Sequence, residues 1–489
     1  NEHMAYKVLN LLSDGGVGGI ENLCKCISDI RTEENCFCCL FEEGAIYEEM
    51  KKNGDAVSLV SCGSKKVTKE RIRALLSLAK KYDIIVVHHS AIVIQFYYSL
   101  LKFLLPGKKY VLVAHSCFSP EFYYDYSSNF KNKVRAWLQK HVLNISDRVV
   151  FVSKAGEKSY RDYFKIPDSK CRVVYNGVVP QTEYRKPKKG AVERNHIFKI
   201  VFIGRLEKIK GVHLLIEATD ELRKKYPVQL EVVGYGGEQE NLQMMSEKLG
   251  LGEIVHFAGM QRDIGKYLKT ADIFVYPSIC EEVFGISLVE AMSYGVPCVA
   301  NEVGGIPEII TEHKNGVLTS EKTGKAVAEA IASLIEAYYE GKADEIAENC
   351  YETAQYFSID HTVEGLEKCY MISSLQKIIN HLIIFRRCFC KAMTDYNNAF
   401  RLLCQVTLYM NFPHYPHIFS VQMILCTRNV SLLTVRCKIW LYFIIHFIHI
   451  FILMYYFHCI YSCYFFIILL LSAFHHSIHT CIIIFTGAC

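Results

Sequence analysis

Short apolar runs rich in Val, Ile, Leu, Phe and Tyr recur along residues 1–375, and most are separated by longer stretches with helical spacing. The runs "YKVLNLL" (6–12), "CFCCLF" (36–41), "DIIVVHH" (83–89), "YVLVAH" (110–115), "RVVFVS" (148–153) and "CRVVYN" (171–176) predict strands. Their apolar positions are continuous rather than alternating, which suits strands covered on both faces of a parallel sheet. Helix-length segments at 69–81, 90–104 and 132–145 lie between them. Such alternation marks a doubly wound α/β domain.

A polar, basic stretch with two prolines, "VVPQTEYRKPKKGAVERNH" (178–196), interrupts the pattern. After it the theme repeats in "FKIVFIG" (198–204), "QLEVVG" (229–234), "IVHFAG" (254–259), "DIFVYPS" (272–278) and "PCVA" (297–300). The expected organisation is a first Rossmann-like domain over 4–180, a linker over 181–197 and a second Rossmann-like domain over 198–355. Closing helices follow over 356–375, and then a hydrophobic tail over 376–489. Two such domains face each other across a central cleft between the carboxyl ends of their sheets, where ligands bind. Met4 is the expected natural start, with Asn1 to His3 a remnant of expression.

Composition separates the tail from the rest. A chain of 489 residues is long enough for two or three domains, and its net charge of +5 gives no nucleic-acid footprint. From residue 376 onward Asp395 is the only acidic residue, and after Lys438 no Lys, Arg, Asp or Glu occurs. Residues 439–457, "IWLYFIIHFIHIFILMYYF", are long and apolar enough for a transmembrane helix. They contain no Gly, Ala or Val, however, and six His follow Lys438, which natural spans rarely show. The tail reads as an out-of-frame or otherwise non-native extension, with a membrane anchor as the competing reading. There are 21 Cys at irregular spacings, and "NEHMAYKVLNLL" has no export signal. Reduced thiols in the cytoplasm are therefore expected rather than a disulfide framework. Cys24, Cys26, Cys36, Cys38 and Cys39 lack C-x-x-C spacing and read as buried thiols, not a zinc cluster.

Three segments carry candidate chemistry. "SDGGVGGIENL" (13–23) follows the first strand and opens a helix, so Gly16 and Gly18 could let backbone amides approach a ligand. The dinucleotide fingerprint fails, because Glu21 stands where its third glycine belongs, and no Walker-type loop occurs. A plain strand-to-helix turn is the alternative. "VFIGRLEKIKG" (201–211) ends a strand at Gly204 and sets Arg205 and Lys210 on the following turn, where two cations can neutralise a pyrophosphate. By itself such a pair also fits a solvated loop. "EEVFGISLVEAMSYG" (281–295) places Glu282 in a loop and Glu290 one turn into a helix predicted over 286–293. The backbone of Phe284, Gly285 and Ile286 lies between them at the positive end of the helix dipole. Glu281 reads as a dipole-complementing bystander.

"GRLEKIKGVHLLIEA", "VVGYGGEQENL", "FAGM", "DIFVYPSICEEVFGISLVEAMSYGVPCVA" and "GGIPEII" together resemble, in order and spacing, the family 4 retaining glycosyltransferases of GT-B fold. The likeness spans roughly residues 5 to 375, and the E-x7-E element from Glu282 to Glu290 is its strongest part. The resemblance implies that 4–180 takes the acceptor and 198–355 the nucleotide-sugar donor. It implies that Arg205 and Lys210 bind the donor diphosphate and that Glu290 binds the ribose. Glu282 and the backbone around Phe284, Gly285 and Ile286 would hold the donor sugar and phosphate, beside Gly204. Gly16 and Gly18 match the glycine loop beside the donor phosphate and acceptor, and His115 matches a histidine that contacts the transferred sugar.

The implied reaction retains anomeric configuration, with the leaving diphosphate helping to deprotonate the acceptor, so the paired carboxylates of hydrolases do not transfer. It needs no metal and no cofactor, the nucleotide-sugar being a substrate, and no D-x-D element is present. The expected function is transfer from a UDP-linked sugar to a saccharide or lipid-linked acceptor, in surface polysaccharide or glycolipid synthesis. The alternatives are a nucleotide-sugar epimerase of the same fold and a membrane-anchored sugar-nucleotide-binding protein. His88 and His89 end a strand on the cleft side, where His89 could touch substrate or simply pack. The stripe Val134, Trp137, Leu138, His141, Val142 and Ile145 fits a core face, or a peripheral contact with the inner face of an anionic membrane.

Overall fold

The computed structural model describes residues 6–16, 18–30, 35–60, 67–89, 92–118, 130–181 and 190–370. The tail at 376–489, linker residues 182–189, closing residues 371–375 and the side chain of His89 lie outside the described residues.

The first sheet contains β1 (Val8–Asp14), β2 (Asn35–Glu42), β3 (Val57–Leu59), β4 (Ile84–His89), β5 (Lys109–Ala114), β6 (Arg148–Phe151) and β7 (Cys171–Val173). All pair in parallel, in the order β3-β2-β1-β4-β5-β6-β7. Helices on both faces explain the continuous apolar runs: in β2, every residue from Asn35 to Phe41 is buried. Cys24, Cys36, Cys38 and Cys39 fill this interior as free thiols, and Cys26 is half-buried. The second sheet contains β8 (Phe198–Ile203), β9 (Val228–Val233), β10 (Val255–Gly259), β11 (Ile273–Tyr276), β12 (Cys298–Asn301) and β13 (Gly316–Thr319). It is parallel too, in the order β10-β9-β8-β11-β12-β13. Phe198, Phe202 and Phe274 are wholly buried in its core.

Two strands went unpredicted, and for one reason. β3 is three half-buried residues and β13 is four residues opening on a glycine, so neither has an apolar run long enough to read. Both are sheet-edge strands recruited by their neighbours.

After the helix Ala343–Tyr356 the chain crosses back to the first sheet. Val178 bridges Ser358, donating to the carbonyl of Phe357 (3.0 Å) and accepting from Ile359 N (2.8 Å). A helical run over 359–370 then brings Tyr370 edge-on to Tyr6, with centroids 5.9 Å apart. The amphipathic stripe on the helix Phe130–Ile145 divides: Leu138 and Val142 enter the core, whereas Trp137 is 63% exposed and stacks on His141. Among the described residues no helix is long and apolar enough to cross a membrane.

Candidate functional site

In the second sheet the strand order reverses at β8, between β9 and β11. Sheets of this kind bind ligands in the crevice outside the carboxyl ends of the strands at such a switch point. β8 leads into Gly204, Arg205 and a short turn, Lys208–Lys210, closed by Gly211. β11 leads into Pro277 and Ser278. Gly211 has φ +69°, and a Cβ there would lie 1.9 Å from the Pro277 carbonyl oxygen. Only glycine lets the two loops meet so closely, and that approach sets Lys210 against the exit of β11.

The result is a tight polar knot. Lys210 Nζ donates to Glu282 Oε1 at 2.6 Å and to Tyr276 Oη at 3.0 Å. Ser278 Oγ donates to the same Glu282 oxygen at 2.5 Å. The Lys210 and Glu282 side chains are 12% and 13% exposed, so water screens the pair little. Desolvation opposes the lysine charge, but Tyr276 and Glu282 outweigh it and hold the ammonium above its ordinary range.

Glu290 sits on the helix Ile286–Ser293, whose buried face is Leu288, Val289, Ala291 and Met292. Gly285, at φ +94°, starts this helix and has no side chain to cap its first amides. Phe284 turns its ring inward against Tyr175 and Phe357, so only its backbone faces the loop. Among the described residues no side chain hydrogen-bonds the Glu290 carboxylate, and burial pushes its pKa up to about 7. The Glu290 charge also reaches Cys26 on the helix Gly19–Ile30, where it adds to the main effect of burial in raising that thiol. Cys117, just after β5, is pushed up to about 12, first by burial and then by Glu281, with Glu282 contributing. The carboxylate segment therefore faces the first sheet's loops.

Glu308 fixes that arrangement. Its carboxylate accepts from Lys154 N (2.9 Å), Ala155 N (2.7 Å) and Tyr175 Oη (2.9 Å), capping the helix Lys154–Arg161 of the first half. Gly304, at φ +53°, leaves no room for a Cβ, which would lie 2.0 Å from the Glu282 carbonyl oxygen. Gly305 N donates to that oxygen at 2.7 Å. The clasp thus ends on the backbone of the Glu282 loop.

Other predicted residues stand further off. Arg205 is 69% exposed and pairs with Glu207 at 2.6 Å rather than joining Lys210 on Glu282. The Gly204 carbonyl packs under Gly234. Gly16 N donates to Asp14 Oδ1 at 3.4 Å, and a Cβ on Gly18 would lie 2.2 Å from Glu21 Oε2. Burial chiefly raises the Glu21 pKa, and Asp14 adds to it. Two carboxylates thus line the glycine loop, and their field opposes an anion there unless a cation accompanies it. His115 Nε2 lies 3.0 Å from His88 Nδ1. Sequence reasoning missed Tyr276, Ser278 and Glu308 as site components. Glu308 was visible only as part of "GGIPEII", and the other two only as the end of a strand.

An anchored ammonium, open helix amides and a carboxylate with no side-chain partner among the described residues, carried on the loop after β8 and the segment 281–295, suit a ligand that is anionic at one end and carries hydroxyls at the other. The comparisons agree with that class. Residues 36–182 match the family model "Glycosyltransferase Family 4", and residues 185–355 match "Glycosyl transferases group 1". An uncharacterized glycosyltransferase of Methanocaldococcus jannaschii is 31% identical over 193 residues, 37% of this chain and 49% of its own. The D-inositol 3-phosphate glycosyltransferase of Corynebacterium kroppenstedtii is 27% identical over 250 residues, 47% of this chain and 54% of its own. The chain thus spans about half the length of these curated relatives. Among solved structures, HepE of Anabaena, crystallised with UDP, superimposes with a TM-score of 0.62 at 22% identity, covering 75% of this chain and 100% of that one. A glycosyltransferase of Rickettsia africae gives 0.61 at 18%, covering 76% and 99%. These likenesses show the GT-B fold. The chain belongs to the family 4 glycosyltransferases.

Proposed function

We propose that the protein is a retaining glycosyltransferase that moves a sugar from a UDP-linked donor to a saccharide or lipid-linked acceptor, in surface polysaccharide or glycolipid synthesis. The observation that carries this reading is the switch-point crevice. There Lys210 is fixed by Glu282, while Glu290 is enclosed without a partner among the described residues. Lys210 and the amides after Gly285 would hold the diphosphate, and Glu290 would accept from ribose hydroxyls. Glu282, released in part from Lys210, would meet the donor sugar beside His115. Arg205 would have to leave Glu207 to join the phosphate. Fixed positive groups around a departing diphosphate supply the main stabilisation, with no metal or cofactor assigned. HepE of Anabaena, of the same fold, was crystallised with UDP and with UDP-glucose, which supports the choice of base.

Thermal shifts with UDP, GDP and ADP test the donor. At a hundredfold excess over Kd a bound nucleotide adds about 2.7 kcal/mol, a shift of several degrees. UDP is expected to give the largest shift, and the anomeric configuration of the transferred sugar, read by NMR, is expected to match the donor. An inverted product, or epimerised donor formed without acceptor, would overturn the assignment.

The acceptor reading includes a peripheral membrane surface, supported by exposed Phe103 (80%) and Trp137 (63%) on two adjacent helices of the first half. Co-sedimentation with anionic vesicles is expected to fall at least fivefold in Phe103→Glu/Trp137→Glu, since each aromatic lost removes roughly 1.5–3 kcal/mol of burial. Equal sedimentation of variant and parent would remove this surface from the reading.

A further inference from the structure

The first sheet has its own switch point, at β1 between β2 and β4, and a chain of side chains crosses it. Asn10 of β1 is buried, and its Oδ1 lies 3.1 Å from Nε2 of His88 at the end of β4. His88 is 2% exposed, and its Nδ1 lies 3.0 Å from Nε2 of His115, the residue after β5. The ring planes are 21° apart and the centroids 5.2 Å apart, an arrangement compatible with a hydrogen bond running from edge to edge between the rings. The Cys24 thiol, 3.8 Å from the same His88 Nε2, is the other group on that nitrogen.

The direction of each bond follows from donor and acceptor chemistry. A carbonyl oxygen only accepts, so Asn10 Oδ1 requires the proton on His88 Nε2. Burial lowers the His88 pKa to about 4 and keeps the ring neutral, which leaves Nδ1 as a lone pair. That lone pair only accepts, so the proton of the second bond belongs to His115 Nε2. We propose that His88, oriented by Asn10, is a positioning residue that fixes His115 in its Nε2–H tautomer. His115 then meets a hydroxyl of the donor sugar through an accepting Nδ1. The second statement rests on the proposed function, whereas the tautomer does not.

Such outer partners commonly set which imidazole nitrogen carries the proton. The opposite polarity requires Asn10 to present its NH2 group, and every proton along the chain then reverses. The two arrangements hand the sugar opposite groups, an acceptor in one and a donor in the other.

Long-range 1H–15N correlation of the full chain, labelled at histidine, reads the tautomer directly. His115 is expected to show a protonated Nε2 and an unprotonated Nδ1. A protonated Nδ1 in the parent protein overturns the proposal. His88→Leu removes the acceptor and is expected to abolish the His115 tautomer preference. It should also raise KM for the UDP-sugar about tenfold while leaving the Kd for UDP within twofold. His88→Asn keeps an oxygen near the Nδ1 position and is expected to recover most of that KM. A His115 spectrum unchanged by His88→Leu, or a KM lost equally in both variants, also overturns the proposal. Should the tautomer hold while no UDP-sugar binds, the proposed function fails together with the sugar contact, and the assignment of His88 as the residue positioning His115 stands.

Discussion

Lys210→Met is expected to lower kcat/KM for sugar transfer by two to three orders of magnitude and to destabilise the free protein by about 3 kcal/mol. Adding Glu282→Gln is expected to restore most of the stability and none of the activity. The two losses have different origins. On the proposed function catalysis loses a fixed cation beside the departing diphosphate, and one such preorganised electrostatic contact is commonly worth about 100- to 1000-fold. Stability falls because Glu282, 13% exposed, is left with its charge and without its main partner. Ser278 still donates to Oε1, and the 13% exposure of Glu282 lets some water reach it, so the cost stays at the lower end of the range for broken buried pairs. Neutralising Glu282 removes the uncompensated charge. Urea unfolding of the parent, both single variants and the double variant gives the coupling through a double-mutant cycle. Transfer within tenfold of the parent in Lys210→Met would sink the phosphate role. A double variant as unstable as the single one would sink the ion-pair argument.

What could be read from the sequence was what depends on neighbours along the chain. The helix Ile286–Ser293 lay where its apolar positions and bounding glycines put it, because Gly285 and Gly295 both adopt positive φ and only glycine does so freely. The parallel character of both sheets was legible because strands buried on two faces cannot alternate. Pairings between distant residues were not legible. Lys210 and Glu282 are 72 positions apart, and their union depends on the loop contact that Gly211 permits. Arg205 and Lys210 looked equivalent on one turn, yet one is exposed on Glu207 and the other buried on Glu282. His88 lies one residue before the end of β4 and His115 directly after β5, but only the sheet order makes β4 and β5 neighbours. Glu308 serves the opposite half of the fold from the one that carries it, which no local pattern encodes.

Glu290→Gln is expected to do two opposite things: stabilise the free protein by about 2 kcal/mol at pH 8, and weaken UDP-sugar binding at least tenfold. Its carboxyl has a folded-state pKa of about 7 against an ordinary 4.5, and burial is the cause. A group whose pKa is raised on folding favours the folded state fully below its unfolded pKa and loses that contribution as pH rises through the folded value. Below about pH 4.5, therefore, parent and variant should be equally stable. Between pH 4.5 and 7 the parent falls behind, and above pH 7 the gap is constant. The full shift corresponds to about 3 kcal/mol, which partial exposure of the side chain reduces to about 2. Binding is expected to change in the other direction, because on the proposed function the Glu290 carboxylate gains hydrogen bonds from the ribose hydroxyls. Parent affinity for a UDP-sugar, whose diphosphate charge is constant here, should fall as pH drops below 7, and that of the variant should stay flat. Chemical denaturation at pH 4.5 and pH 8, with titration calorimetry at pH 6 and pH 8, separates the two effects. Equal stability at pH 8 would mean that enclosure costs this charge nothing. Unchanged binding in the variant would leave the ribose to another residue. Both expected results together mean that the free enzyme keeps a destabilising charge that is relieved when its donor binds.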